Sequence, residues 1–252
     1  MLWYKSWLET RWRFLIGLAL LLCSAGAMVL TYPRLQALLS HIPEPQLGGA
    51  LGERVREAIE LSREYRGFVW AQGFSQNLAQ LGTLFAVLLG TGGLLSGGAA
   101  LFTLSLPATR RDLLRVRAAA GLAEWLLLAL VPSLLISLMS PVIGESYGVV
   151  TALAHGLCLF VAGAVFFSLA MLLSTLFTDV WRPLLTAIAI AAFLALLEQL
   201  APRDGGWGIY RVMSGESYFR SGAMPWAGLA ASAAASVALL YAAAVNLERR
   251  DF

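Results

Sequence analysis

Charge is missing from this chain over long stretches, and that constrains its fold more than any motif does. No Asp, Glu, Lys or Arg falls between Arg13 and Arg34, between Arg66 and Arg110, between Glu124 and Glu145, between Glu145 and Asp179, or between Arg220 and Glu248. An α-helix rises about 1.5 Å per residue, so about 20 apolar residues cross a hydrocarbon layer about 30 Å thick. Of the 252 residues, 59% are hydrophobic and 13% are charged, about half the charged share of a soluble domain. The expected fold is therefore all-α: one polytopic transmembrane domain over residues 1–252, with its core a helix bundle in lipid. The sequence pI near 9.1 does not point to nucleic acid, because the basic residues sit mostly at the ends of the apolar runs, where they act as topology signals. Cys23 and Cys158 fall inside apolar runs and read as small buried residues rather than a disulfide or a metal site.

Six spans are expected, at about 14–32, 74–101, 118–140, 149–176, 184–200 and 225–245. Residues 1–13 read as an interfacial helix: Trp3, Tyr4, Trp7 and Leu8 group on one side, and Lys5, Glu9 and Arg13 on the other at i,i+4 spacing. The run 14–32 lacks a small-x-small cleavage site, so no cleaved leader is expected. Pro33 is expected to stop span one. Residues 33–73 form the longest polar segment, in which Ala50–Tyr65 alternates acids and bases and reads as an amphipathic helix. In span two, Gly93 and Gly97 form a small-x-x-x-small pair that lets helices approach closely in lipid. The glycine-rich stretch 90–97 lacks the Gly-Lys-Ser/Thr of a phosphate loop, so nucleotide binding by this chain is not expected. The segment 201–224 carries glycines and the aromatics Trp207, Tyr210, Tyr218 and Phe219. Its Arg211, Glu216 and Arg220 are too costly to face lipid. It is expected to dip in from the outside and return, with aromatics that suit an interface or an outer gate; an ordinary extracellular loop is the alternative.

Between spans two and three lies Leu104-Ser-Leu-Pro-Ala-Thr-Arg-Arg-Asp-Leu-Leu-Arg-Val-Arg117. Pro107 disfavours helix at the residue before it. Thr109 stands at an N-cap with Asp112 three residues on, a capping box with aspartate in place of glutamate. A brief helix from about Arg110 to Arg117 is expected. It is too short to be stable alone, so neighbouring helices or a partner must hold Leu113 and Leu114. A loop that only fixes topology is the plain alternative.

An even number of spans puts both termini on one side. That side carries Lys5, Arg11, Arg13, Arg110, Arg111, Arg115, Arg117, Arg182, Arg249 and Arg250; the other carries Arg34, Arg54, Arg56, Arg63, Arg66, Arg203, Arg211 and Arg220. Most of the second group lies in one long segment, which counts least, so cytoplasmic termini are expected. Three ionisable residues fall inside spans: Glu124, His155 and Glu198. Buried charge in lipid is costly and marks a candidate polar site. The plainer reading gives Glu124 a structural partner such as Arg117, gives His155 a neutral ring bonded to a neighbouring helix, and lets Glu198 reach the interface.

Taken together, these pieces resemble the type-2 ATP-binding-cassette (ABC) exporter permeases, the membrane subunits of bacterial efflux systems. The resemblance is carried by the N-terminal interfacial helix, by Leu106-Pro-Ala-Thr-Arg-Arg111, by the six-span layout with an aromatic segment before span six, and by the ending Leu-Glu-Arg-Arg-Asp-Phe252. It implies a subunit of the bacterial inner membrane, without an ATPase site or cofactor of its own, that pairs with a separate ABC ATPase subunit holding ATP and Mg. It also implies a second permease copy or paralogue. Residues 102–117 would be the coupling loop, with Thr109, Arg110, Arg111, Asp112, Leu113, Leu114 and Arg115 docking in the ATPase. Two other classes remain open: a non-transporting membrane scaffold or assembly factor, and an intramembrane enzyme using Glu124, His155 and Glu198. Against the enzyme, no Gly-x-Ser-x-Gly or His-Glu-x-x-His occurs and no two candidates stand at metal or dyad spacing. The first prediction follows from the missing phosphate loop: the purified chain alone shows no saturable ATP hydrolysis in a phosphate-release assay, and measurable turnover by it would contradict this reading.

Overall fold

The computed structural model describes residues 2–39, 52, 56, 59–91, 110–177, 179–200 and 208–249. Every regular element among them is helical. Residues 59–63 are helical, and the other elements, in chain order, are α1 (Leu2–Leu39), α2 (Tyr65–Phe68), a π-helical stretch (Val69–Leu78), α3 (Ala79–Gly90), α4 (Arg110–Met139) closed by a 3₁₀ turn (Ser140–Ile143), α5 (Val149–Leu176), α6 (Trp181–Leu200), α7 (Ile209–Ser214), α8 (Glu216–Ser221) and α9 (Trp226–Arg249). Five of them, α1, α4, α5, α6 and α9, are long and apolar enough to cross a membrane.

Two helices are longer than the sequence implied. α1 does not stop at Pro33, and no break separates residues 2–13 from the rest of it. A proline interior to a helix forfeits one backbone bond, but in an apolar bundle neighbouring groups offset that loss. Thr31 turns its hydroxyl back to the Met28 carbonyl at 3.0 Å. Tyr32 is buried, donates to the Arg63 carbonyl at 3.1 Å and packs its ring on Tyr65 and Phe68, which keeps the chain on the helical path. α4 likewise runs unbroken from Arg110 into the apolar run, so the expected brief helix over 110–117 is its first two turns. Nothing at the junction breaks helix; Ala118-Ala119-Ala120 are the best helix formers available. With 38 residues, α1 is about 57 Å long, more than a bilayer with its headgroups, so its charged and aromatic start extends beyond the hydrocarbon. There Trp3, Tyr4, Trp7, Leu8 and Trp12 face outward. The helical run into α3 begins at Tyr65, not at residue 74. Gly93 and Gly97 lie outside the described residues.

α5 sits at the centre, the most buried of the five long helices, with α3, α4, α6, α7 and α9 around it. α3 and α5 run parallel and α4 runs against them, joined through glycine. The Trp125 ring of α4 is fully buried. It lies against Gly163 of α5 and Gly82 of α3, where any Cβ would meet the indole, and its Nε1 donates to the Phe160 carbonyl at 2.9 Å. Gly121 of α4 gives the same clearance to the Phe167 ring, and Gly90 of α3 to the Phe167 carbonyl and Ala170. Lipid tails are as apolar as leucine, so packing rather than water exclusion holds such helices together. Asn246 of α9 donates to the Thr175 carbonyl and hydroxyl of α5 at 3.1 and 3.0 Å. The α4–α5 connection turns on the 3₁₀ segment, with Pro141 in its first turn and Gly144 left-handed at φ 79°.

These contacts fix two ends. The starts of α1 and α4 and the ends of α3, α5 and α9 share one, here the arginine end; the α7–α8 hairpin, the end of α1 and the start of α5 share the other, the hairpin end. Trp125→Ala should cost about 3–5 kcal/mol, as for a buried aromatic emptied of its ring, and Gly163→Val about 1–3 kcal/mol by overpacking. Unfolding titrations in mixed micelles would read both, with lipid-facing Leu127→Ala near wild type; equal midpoints for all three would refute the glycine-slot account.

Candidate functional site

Polar side chains gather at both ends, and each group follows from which helix termini meet there. At the arginine end the first turns of α4 carry Arg111, Asp112 and Arg115 exposed, Leu113 half-buried and Leu114 buried. Arg111 pairs with Glu248 near the end of α9, and Arg115 lies 3.6 Å from Asp112. Arg110 is helical; its side chain, like Thr109 and the capping box, lies outside the description.

Two further arginines turn inward. α3 ends at Gly90, and the last carbonyls of any helix lack partners within it. Arg13 of α1 donates to the carbonyls of Leu88 and Thr91 at 2.8 and 2.6 Å. Arg117 of α4, 8% exposed, approaches the Thr91 carbonyl at 3.4 Å and the Glu9 carboxylate at 3.3 Å. Cations complement the negative end of a helix, so side chains from α1 and α4 together close the end of α3. The expected Glu124–Arg117 pair is not formed. Arg117 takes Glu9 instead, and Glu124, 4% exposed, meets Thr10 of α1, Oε1 to Oγ1 at 2.5 Å. The Thr10 oxygen also stands 3.1 Å from the Ser6 carbonyl. One hydroxyl proton cannot serve both acceptors. Either Thr10 donates to a charged carboxylate, or a protonated Glu124 donates to Thr10, which then donates to Ser6. Glu124 Oε2 is buried with no partner among the described residues, which favours the neutral form, since a bare buried carboxylate oxygen is expensive.

The hairpin end is built around α7 and α8. Gly215, left-handed at φ 67°, reverses the chain between them. α7 has Gly208 at its N-cap, which offers no side chain, and Glu198 from the end of α6 supplies the missing acceptor. Its carboxylate takes the backbone N–H of Tyr210 at 3.0 and 3.1 Å and of Arg211 at 3.3 Å. At the other end of α7 the carbonyl of Ser214 faces His155 Nδ1 at 2.9 Å. From Val149 to His155, α5 advances about 9 Å; Met213, fully buried, lies beside Gly82 and Thr83 of α3. The aromatics distribute over different helices. Tyr210 packs on Phe166 of α5 and donates to the Ala191 carbonyl of α6 at 3.1 Å. Tyr218 forms a T-shaped pair with His155. Phe219 stacks on Trp70 of the π-helical stretch at 4.5 Å, with the Arg66 and Arg220 guanidiniums over Phe219 and Trp70. Behind them Tyr65 shares a hydrogen bond with Ser140 at 2.7 Å, and burial pushes the Tyr147 phenol upward, which keeps it protonated. Trp207 lies outside the described residues.

Glu124, His155 and Glu198 are therefore not one site. About 24 Å of α4 separates Glu124 from Ser140 at the hairpin end, while Glu198 and His155 hold the two ends of α7. No group of three His, Cys, Asp or Glu suited to a metal occurs among the described residues. The sequence signal that could have found the Glu198 cap is Gly208, a helix start without its own acceptor. Compared with known proteins, the chain matches no family model, no curated protein and no solved structure.

If Glu124 is neutral, Glu124→Gln keeps a donor toward Thr10 and should change stability by less than about 1 kcal/mol, while Thr10→Val should cost about 1–3 kcal/mol. The same unfolding titration reads both; a larger loss for Glu124→Gln than for Thr10→Val would mean that the carboxylate is charged.

Proposed function

We propose that this chain is the membrane subunit of an ABC exporter, working with a separate ATPase subunit and a second permease copy or paralogue in a bacterial inner membrane. In this reading the helical run 65–90 supplies a sixth crossing, both termini face the cytoplasm at the arginine end, and the α7–α8 hairpin dips in from the outside. The observation that carries the proposal is the division of labour at the start of α4. Leu114 is built into the core, while Leu113 is half-buried among the exposed Arg111, Asp112 and Arg115. A small apolar anchor with a charged rim is how compact interfaces concentrate their energy. The resemblance of Leu106-Pro-Ala-Thr-Arg-Arg111 to the coupling segments of type-2 permeases supports the same reading. A push on this segment would pass directly into α4, because helix continues from Arg110 to Met139, and through Arg117 and Glu9 into α1. ATP and Mg would be held by the partner, and the residues here would only receive its movement.

The leucines separate docking from folding. Leu113→Ala should leave stability near wild type and weaken recovery of the ATPase by about 1–3 kcal/mol, with each rim arginine costing less and in a salt-dependent way. Leu114→Ala should instead destabilise the bundle by about 2–5 kcal/mol. The measurement is co-purification with the ATPase encoded nearest to this chain, alongside substrate-stimulated hydrolysis. Unchanged recovery and unchanged hydrolysis for Leu113→Ala would leave the basic segment as a topology signal and favour the scaffold reading.

A further inference from the structure

The hairpin end holds one titratable group whose protonation its surroundings do not accommodate. His155 is fully buried. Its Nδ1 faces a backbone carbonyl, that of Ser214, and a carbonyl only accepts, so Nδ1 carries the hydrogen. In the neutral ring Nε2 is then a bare acceptor, and it has no partner among the described residues. The ring is stacked on Phe74 of the π-helical stretch at 4.6 Å and stands T-shaped to the Tyr218 ring of α8 at 5.5 Å. Burial acts most strongly on the ring; the Ser214 carbonyl favours a proton on it, and Arg66 on α2 adds a weaker charge of the same sign as an imidazolium. Of the other charged groups on the surrounding elements, Glu216 of α8 is paired with Arg220, Glu198 is taken up by the start of α7, and α7 contributes Arg211. Tyr147 from the α4–α5 connection and Cys158 on α5 itself add no charge. A second proton on the ring would be a buried cation with no counter-ion among the described residues, and burial without a counter-ion is what destabilises such a group.

We propose that His155 is a proton-binding site whose occupancy releases the α7–α8 hairpin from the bundle. The neutral ring holds the apex of the hairpin through Ser214; the charged ring gains by reaching water, which it does only when that apex lifts. Acid therefore favours the lifted state by ordinary linkage. The inference does not depend on the chain having an ATPase partner, and it concerns the opposite end of the bundle from the coupling segment.

The fold contains a reporter for this motion. Cys158 is buried next to Gly215, the residue at the apex, and Cys23 is exposed on α1. The experiment uses the full chain with Cys23→Ser, purified in detergent, and follows labelling of Cys158 by 4,4′-dithiodipyridine, a reagent that stays reactive in acid. An exposed control, Ala223→Cys with Cys158→Ser, corrects for the reagent's own pH dependence. From about pH 8 to about pH 5, the range in which histidines titrate, corrected labelling should rise, by up to about tenfold per pH unit for one linked proton. His155→Gln keeps an N–H for Ser214 and does not titrate, so its labelling should be flat. His155→Asn also offers an N–H at the position of Nδ1 and does not titrate, so it should be flat as well and keeps the test valid if the glutamine variant fails to fold. A wild-type rate that does not rise in acid, or a rise that survives unchanged in His155→Gln or in His155→Asn, would overturn the proposal.

Discussion

The bundle depends on one indole lying where two other helices have no side chain. Trp125 fills the space above Gly163 and beside Gly82, and its single polar atom is spent on the Phe160 carbonyl. In lipid the helices gain nothing by hiding apolar surface from water, so close fit has to replace the hydrophobic effect. A large, rigid ring against bare backbone gives the most dispersion contact for the least loss of side-chain freedom. The slot also fixes the relative height of α3, α4 and α5. Their termini therefore arrive at the two ends in register, and the polar clusters follow from that.

Those clusters solve one recurring problem. A helix that ends inside an apolar bundle leaves backbone groups that water cannot reach. α3 is closed by Arg13 and Arg117, α7 by Glu198 at its start and His155 at its end, and α5 by Asn246 near Thr175. In each case the partner comes from a different helix. Of the ionisable residues that stand out in the sequence as costly, Glu198 and His155 serve that closure. Trp70, Glu124, Tyr147, His155 and Ser168 each keep a buried polar atom without a partner among the described residues, and of these Glu124 and His155 are where protonation can matter.

The helical class and the apolar crossings were legible because lipid imposes a length on uncharged runs that no other environment does. Helix ends were less so. Pro33 and the Arg117–Ala118 junction look like boundaries by local rules, and tertiary contacts at Tyr32 and strong helix formers after Arg117 override them. The charged side of residues 2–13 was readable as Lys5, Glu9 and Arg13, but not that Glu9 would choose Arg117, because pairing across helices depends on relative height, which a single sequence does not carry. The π-helical register at 69–78 has no local signal either. At the start of α4 the pattern offered Leu113 and Leu114 as equals; only their burial separates them.

The length of α1 has a mechanical consequence. Between Thr10, bonded to Glu124, and Tyr32, bonded to the Arg63 carbonyl, the helix runs about 33 Å as a continuous rod. A hydrogen-bonded helix resists stretching far more than it resists tilting, so this rod is a strut hinged at both ends to polar contacts. Whatever prefers one tilt of the strut at its Thr10 end must bias the tilt at Tyr32, and the bias is reciprocal by thermodynamic necessity. The two ends of the molecule thus share a lever.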